Sequence, residues 1–263
     1  MAETVTQKLE RRKNIYTLTL ALGAGSSRGM ARLLTILPTL NAAHSLGDVF
    51  ESLAEGESAR LNAGWLVADG GSSDATLEVA RRAGAHVVTG PRGRGAQLAA
   101  GAEAAARLSA PEDWYLFLHA DTRLHPGWTG PVRHFMAKNA DRQRAGYFKF
   151  ALGDDSPKAR RLERAVAWRC KVFALPYGDQ GLLVSRRFYE ALGGYKPWPL
   201  FEDVDMVRRI GRGRLEPLKL PAVTSAQRFL ADGYTKRSLK NLTLLARYYL
   251  GAAPQVLARA YRK

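Results

Sequence analysis

The chain has 263 residues, with 40 Lys and Arg against 24 Asp and Glu, a formal net charge of +16. At 46% hydrophobic and 24% charged residues it is neither a disordered acidic protein, a collagen-like fibre nor a fully charged coiled coil, and its length allows one large α/β domain. The single cysteine, Cys170, excludes an intramolecular disulfide scaffold and a thiolate metal cluster built from this chain alone.

A basic surplus of this size attracts anions: nucleic acid, a lipid surface or phosphorylated small molecules. No segment approaches 18 uninterrupted apolar residues, which argues against a conventional membrane span. Residues 1–30 read as a flexible N-terminal extension or a start assigned before Met30; the alternative is a weak signal peptide, basic from Lys8 to Lys13 and mostly apolar from Ile15 to Gly23. Arg32 to Leu40 predicts a buried strand stopped by Pro38. Asn41 and Ser45 can each cap the helix that follows, which carries Val49, Phe50 and Leu53 on one face. Trp65 to Ala68 is the next strand and runs into Asp69-Gly70-Gly71-Ser72-Ser73-Asp74; Asp74 suits the cap of a helix over Ala75 to Ala83. A strand over Ala85 to Val88, a Gly/Pro/Arg loop from Gly90 to Gly95, and an Ala-rich helix over Gln97 to Leu108 come next. Trp114 to Leu118 is a fourth strand, ended by His119-Ala120-Asp121. Alternation at βαβ spacing predicts a parallel sheet covered by helices, with ligands at the carboxyl ends of its strands.

The second half is less regular. It predicts a strand over Ala145 to Leu152, a helix over Pro157 to Phe173 and strand character from Gly178 to Val184. A short helix over Arg187 to Leu192 and a turn at Gly193-Gly194-Tyr195 follow. Next come a helix over Phe201 to Ile210 that opens on Glu202, Asp203 and Asp205, and one or two strands over Leu215 to Val223. Helices over Leu239 to Leu250 and Gln255 to Ala260 close the chain; after Asp232 there is no acid and seven Lys and Arg.

Several groups have two readings from spacing alone. Asp121 is either a ligand for Mg2+ or Mn2+, which take carboxylate oxygens, or a structural turn residue. Gly90 to Gly95 is either a phosphate cradle or a solvated basic turn; it lacks the endings of a P-loop and of a Rossmann fingerprint. His119 is either a metal ligand or a structural residue at a strand end. Tyr177 to Gly181 either lines an acceptor pocket or is an ordinary turn. Cys170 reads as core, and the absence of Gly-x-Ser-x-Gly removes support for that hydrolase chemistry.

Six segments in order resemble the family 2 nucleotide-sugar glycosyltransferases of the GT-A fold. They are Ile36 to Asn41, Val67 to Asp74, Gly93 to Gln97, Leu116 to Thr122, Gly178 to Gly181 and Phe201 to Asp205. Within that family the likeness is to the small bacterial subgroup associated with radical-SAM and arsenosugar biosynthesis genes. The resemblance implies an α/β GT-A fold: a Rossmann-like, mostly parallel sheet flanked by helices, with a helical C-terminal region. It implies one domain over residues 31–263, with a nucleotide-binding half (31–125), an acceptor and catalytic half (126–232) and a basic helical tail (233–263). Pro38, Thr39 and Asn41 would border the nucleotide-sugar, Asp69 would bond the base, and Arg94, Gln97, His119 and Arg228 would lie near the diphosphate or sugar. Asp121 would hold the metal, Mg2+ or Mn2+, while His119-Ala120 replaces the usual first acid of that motif. Asp203 would be the catalytic base of an inverting transfer, with Glu202 beside it. Asp179, Gln180 and Gly181 would line the acceptor pocket. The family commonly carries Glu where this chain has Ala42, which leaves a catalytically inactive scaffold as an alternative.

The implied partners are a nucleoside-diphosphate sugar and an unidentified hydroxyl acceptor, lipid-linked among the candidates. A basic nucleic-acid binding protein is the rival reading, but no helix-turn-helix, Cys/His finger or aromatic RNA-binding pair supports it, and no nucleic-acid partner is expected. The charge map separates the two, since a glycosyltransferase predicts acids on a pocket floor inside a basic surround. The expected location is cytoplasmic, with peripheral attachment to an anionic membrane surface as an option. Leu239, Leu242, Leu245, Ala246 and Tyr249 share a helical face near Lys236, Lys240 and Arg247; packing of that face on the domain is the alternative.

Overall fold

Four apolar residues around Thr35, from Leu33 to Leu37, make strand β1 (Leu33–Thr39) central, and it is buried throughout. The computed structural model describes residues 31–111 and 113–262, so the expected N-terminal extension lies outside the described residues. The strand runs one residue past Pro38. Its other neighbour, β4 (Trp114–Phe117), pairs only as far as Ile36, so the missing proline N–H leaves no ladder bond broken on that side.

Among the described residues eight strands form one sheet in the order β3-β2-β1-β4-β7-β6-β8-β5. Here β2 is Asn62–Asp69, β3 His86–Thr89, β5 Thr122–Leu124, β6 Ala145–Leu152, β7 Leu182–Ser185 and β8 Leu215–Thr224. Strands β3, β2, β1 and β4 are parallel, as their βαβ spacing requires. Beyond β4 the sheet turns mixed: β7 is antiparallel to β4 and β6, β8 is parallel to β6, and β5 is antiparallel to β8.

Alternate residues of each strand face opposite layers. Leu33, Leu37, Trp65, Val67, Trp114 and Leu116 pack with α1 (Ala43–Leu53) and α5 (Thr129–Lys138). Leu34, Ile36, Leu66, Tyr115 and Phe117 pack with α4 (Arg94–Leu108), α7 (Arg186–Ala191) and α8 (Glu202–Ile210). Gly101 lets α4 approach the sheet; a Cβ there would lie 2.7 Å from Ile36 Cγ2. The remaining helices are α2 (Glu55–Ser58), α3 (Thr76–Arg82), α6 (Pro157–Phe173), α9 (Gln227–Asp232), α10 (Tyr234–Tyr249) and α11 (Pro254–Arg262). Ser156 caps α6 by accepting the Ala159 N–H at 3.2 Å, with Pro157 in the first turn. Leu244, Leu245 and Leu257 seat α10 and α11 on Val204 and Val207 of α8.

Local expectations change in several places. Neither Asn41 nor Ser45 caps α1 through its side chain. Asp74 does that work from the next loop: its carboxylate accepts the N–H groups of Ala43 and Thr76, at 3.2 and 3.0 Å, tying together the starts of α1 and α3. Residues Gly178–Gln180 form a 3-10 turn, not a strand, before β7. The elements α2, β5, α5 and α9 were not foreseen; three to six residues carry too little periodicity in α2, β5 and α9, and α5 opens on Thr129-Gly130-Pro131, which reads as a turn.

Candidate active site

Parallel strands end at one edge, and β1, β2 and β4 deliver Thr39, Asp69 and the His119 to Asp121 segment there. Thr39 and Asp69 are paired in register. Asp69 is fully buried. Its Oδ1 accepts the Thr39 hydroxyl at 2.9 Å and the Ser72 hydroxyl at 2.5 Å, and its Oδ2 accepts the N–H groups of Gly71 and Ser72 at 2.9 and 2.8 Å. Burial pushes this carboxyl up, but the bonds from Ser72, Thr39 and Gly71 together hold it below its ordinary value. Asp69 therefore organises the loop beneath the cleft, and its four bonds leave it off the cleft wall.

A cleft of about 740 Å3 opens over this edge, within the size range of small-molecule sites. Pro38, Thr39, Asn41, Arg94, Gln97, His119, Asp121 and Arg228 all line it, as does Ala42. A smaller chamber of about 130 Å3 adjoins it and shares Arg94, His119, Asp121 and Arg228; Asp179 and Asp203 face this chamber. The structure thus brings most of the expected residues together across the chain. Four are elsewhere: Asp69, Glu202, Gln180 and Gly181 line neither space.

Gln97 lines the cleft, yet its amide is already committed. Its Nε2 donates to Thr39 O and to Ala68 O, at 2.5 and 2.9 Å, joining the ends of β1 and β2. Gln180 is a brace too, but behind the wall. Its Oε1 accepts from Cys170 Sγ and the Tyr177 N–H, both at 3.3 Å, and its Nε2 donates to Phe148 O at 3.0 Å. Gly181, at φ 62°, packs under Leu118 and Phe148. These two residues hold the 3-10 turn, and only Asp179 of the expected acceptor trio reaches the chamber. Cys170 is buried, as its apolar setting foretold.

Helix α8 begins at the chamber because Phe201, at φ 62°, reverses the chain just before it. Its first turn then presents Glu202 and Asp203. Asp203 Oδ2 accepts the Gly178 N–H and Oδ1 accepts the Val204 N–H, both at 2.8 Å. Glu202 is buried and pairs with Arg94 Nε of the first turn of α4, linking two helix starts 108 residues apart. Burial pushes the Glu202 carboxyl up to about 7, helped by Asp203 and opposed by Arg94. Asp205 points away from the chemistry and pairs with Lys196 and Arg209.

Burial likewise raises Asp179 to about 6, with Asp203 and Asp121 adding to the effect and Arg169 opposing it. Among the described residues its buried Oδ1 has no hydrogen-bond partner. Burial and the nearby Arg94 charge lower His119 to about 4, so its imidazole is neutral at neutral pH. The ring lies against Gly178, where a Cβ would sit 2.5 Å from Nε2. Among the described residues, no cluster of three or more His, Cys, Asp or Glu side chains forms a self-sufficient metal cage. Asp121 offers one half-buried carboxylate, for which no hydrogen bond or ion pair is found among the described residues. That donor set fits Mg2+ or Mn2+ arriving with a diphosphate, since such ions keep most of their ligands from phosphate and water.

The far wall comes from residues not singled out for the site. Arg237, Lys240, Asn241 and Tyr261 line the cleft from α10 and α11. Arg237 donates to Asp232 Oδ2 at 2.6 Å and to the Tyr261 hydroxyl at 2.7 Å. The loop from Lys196 to Leu200 roofs the start of α4, where the Gly95 N–H donates to Trp198 O at 3.1 Å. The two spaces are lined by Asp121, Asp179 and Asp203 together with Arg92, Arg94, Arg228, Arg237 and Lys240, and by Asp232, which pairs with Arg237.

Residues 35–183, from β1 into β7, match glycosyl transferase family 2. The chain belongs to that family. The enzyme is therefore a glycosyltransferase, and its sheet and flanking helices are the expected GT-A fold. No curated protein matches it. Among solved structures, it resembles one described as a mycobacterial protein, at 22% identity and a TM-score of 0.52, over 80% of this chain and 70% of that one. It also resembles glucosyl-3-phosphoglycerate synthase from Mycobacterium tuberculosis. The complex of that synthase with Mn2+ and UDP-glucose matches at 20% identity and a TM-score of 0.51, over 80% of this chain and 74% of that one. Its complex with Mg2+ and UDP matches at 19% identity and a TM-score of 0.51, over 78% and 73%. At these identities the likeness is one of fold.

Proposed function

We propose that the enzyme transfers a sugar from a nucleoside-diphosphate sugar to an acceptor hydroxyl, with inversion, using Mg2+ or Mn2+. The observation that carries this reading is the opening of Asp121 and Asp203 onto one chamber whose rim holds Arg94 and Arg228. The Mn2+ and Mg2+ nucleotide complexes of the mycobacterial synthase support the choice of donor and ion.

In this reading the nucleoside lies along Pro38, Thr39 and Asn41, above the loop that Asp69 organises. Asp121 holds the divalent ion, which when bound neutralises charge on the departing diphosphate. Arg94 and Arg228 stabilise the same charge from the protein side. Asp203, oriented by the Gly178 and Val204 N–H groups, takes the proton of the acceptor hydroxyl as its oxygen attacks the anomeric carbon. The bond from that carbon to the diphosphate breaks, and its electron pair leaves with the nucleoside diphosphate. Glu202 acts through Arg94, whose guanidinium it holds at the chamber.

The narrower likeness to the radical-SAM and arsenosugar-associated subgroup is part of this proposal and rests on motif spelling, His119-Ala120-Asp121 above all. Tyr177, Phe201, Phe229 and Leu244 wall the chamber with apolar surface, which favours an amphiphilic, lipid-linked acceptor met by a cytoplasmic enzyme at a membrane surface. Among the described residues no helix is long and apolar enough to cross a membrane.

The test is donor hydrolysis and binding over UDP-, GDP- and dTDP-sugars with Mn2+ or Mg2+. Metal-dependent turnover of one donor is expected, with loss of metal dependence in Asp121→Asn and loss of transfer in Asp203→Asn. Absence of metal-dependent binding or hydrolysis with every donor would sink the proposal.

A further inference from the structure

Helix α10 has two committed faces. Leu244 and Leu245 enter the core, and Arg237, Lys240 and Asn241 line the cleft. The apolar stripe expected on this helix is thus divided: Leu245 turns inward, while Leu239, Leu242, Ala246 and Tyr249 remain exposed. Lys240, expected beside the stripe, belongs to the cleft instead. The spacing 239, 242, 246, 249 keeps the exposed residues on one helical stripe. Leu239 and Leu242 are each 62% exposed, and Leu250, which ends the helix, is 88% exposed.

This exposure is concentrated. Among the described residues, every large hydrophobic side chain exposed by half or more lies between Trp168 and Val256, on or at the ends of α6, α9, α10 and α11. Trp168 and Phe173 project from α6, which packs against α10, and Leu230 projects from α9 just before it. Lys236 and Arg247 are exposed and flank the α10 stripe on one side. From residue 233 onward the chain has seven basic residues and no acid. Leucine with aromatic residues on one face and basic residues along its edge is the chemistry that seats a helix in the headgroup region of an anionic bilayer. A partner protein surface of ordinary composition would not call for an edge with no acidic residue.

We propose that the outer face of α10, with Leu250 at its end, docks the enzyme on an anionic lipid bilayer. The opposite face of the same helix lines the cleft, so docking holds the reaction chamber one helix diameter from the lipid surface. This deepens the reading of a membrane-borne acceptor, while vesicle binding and donor hydrolysis are separate measurements and either can fail alone.

The experiment is sedimentation of the full chain with phosphatidylcholine vesicles, with and without about 30 mol% phosphatidylglycerol, at low and high salt. Binding to the anionic vesicles that weakens with salt is expected. The double variant Leu239→Glu/Leu242→Glu should bind about tenfold more weakly. Its donor hydrolysis should match that of the unsubstituted chain, which shows that it folds. Lys236→Glu/Arg247→Glu should lose the preference for anionic over neutral vesicles. No binding to anionic vesicles would overturn the proposal. Undiminished binding by the leucine variant would also do so, by assigning attachment to another segment, residues 1–30 included. A concentration-dependent dimer that the leucine variant dissolves, without vesicle binding, would give the face to a second copy of the chain.

Discussion

Asp203 Oδ2 accepts a hydrogen bond of 2.8 Å from the backbone N–H of Gly178. This bond joins the first turn of α8 to the 3-10 turn that carries Asp179. A Cβ on Gly178 would lie 2.5 Å from His119 Nε2 and 3.5 Å from Asp203 Oδ2. Two side chains from distant segments therefore meet over one glycine, and the chamber's shape depends on its lacking a side chain.

Gly178→Ala should accordingly displace His119, or shift the turn whose Gly178 N–H orients Asp203, while leaving the hydrophobic layers intact. A displacement near 1 Å at a reacting group costs about 100-fold in rate. The expected result is a fall of that order in kcat for sugar transfer, with far-UV circular dichroism unchanged and Tm lowered only slightly. Full activity would remove the glycine contact from the positioning of Asp203.

Asp69 should control acid stability. Its folded-state carboxyl lies below the ordinary value of 3.8, so the ionised form contributes stability that is present above that value and lost as pH falls through the folded value. Asp69→Asn should lower stability at neutral pH by about 2 kcal/mol, because buried bonds to a charged acceptor are lost. Its unfolding free energy should also change less than that of the unsubstituted chain as pH drops below the ordinary carboxylate range. Urea unfolding followed by tryptophan fluorescence at several pH values measures both effects.

Gln97→Leu keeps a similar volume but removes the donor to Thr39 O and Ala68 O. Thr39 O keeps the Gly70 N–H, so the loss is that of two buried hydrogen bonds, about 1–3 kcal/mol in all. The donor KM should rise as the ends of β1 and β2 part. A variant with unchanged Tm and altered kcat alone would point instead to direct contact between Gln97 and substrate.

Gly95→Ala tests the roof of the cleft. A Cβ there would lie 2.4 Å from Lys196 O and 2.5 Å from Trp198 O, too close for the loop to remain seated. Faster proteolytic cleavage within Lys196 to Leu200 and a raised donor KM are expected. Nucleoside diphosphate with Mn2+ should slow cleavage in the unsubstituted chain; equal cleavage with and without it would mean that the loop does not respond to the donor.

Much of this site was legible before any coordinates. Alternating βαβ segments place strand ends at a single edge, so Asp69 and Asp121 had to lie along that edge wherever the second half of the chain went. The helix opening on Glu202 and Asp203 was legible too, since the polar first turn precedes the apolar pattern of Val204, Met206, Val207 and Ile210. Local pattern reports which residue types recur along a helix or strand. It does not report which neighbour occupies each face. Lys240 therefore read as part of a lipid-facing edge until α10 was packed, and packing turned it into the cleft beside Arg237 and Tyr261. Gln97 and Gln180 are polar residues in functional-looking motifs, but tertiary hydrogen bonds commit both to bracing, Gln97 in the cleft wall and Gln180 behind it. The +16 charge and its position along the chain belong to the sequence alone. Its division into a rim over buried carboxylates and an edge beside an exposed leucine stripe arises only in three dimensions, because burial and charge neighbours are set by contacts between segments far apart in the chain.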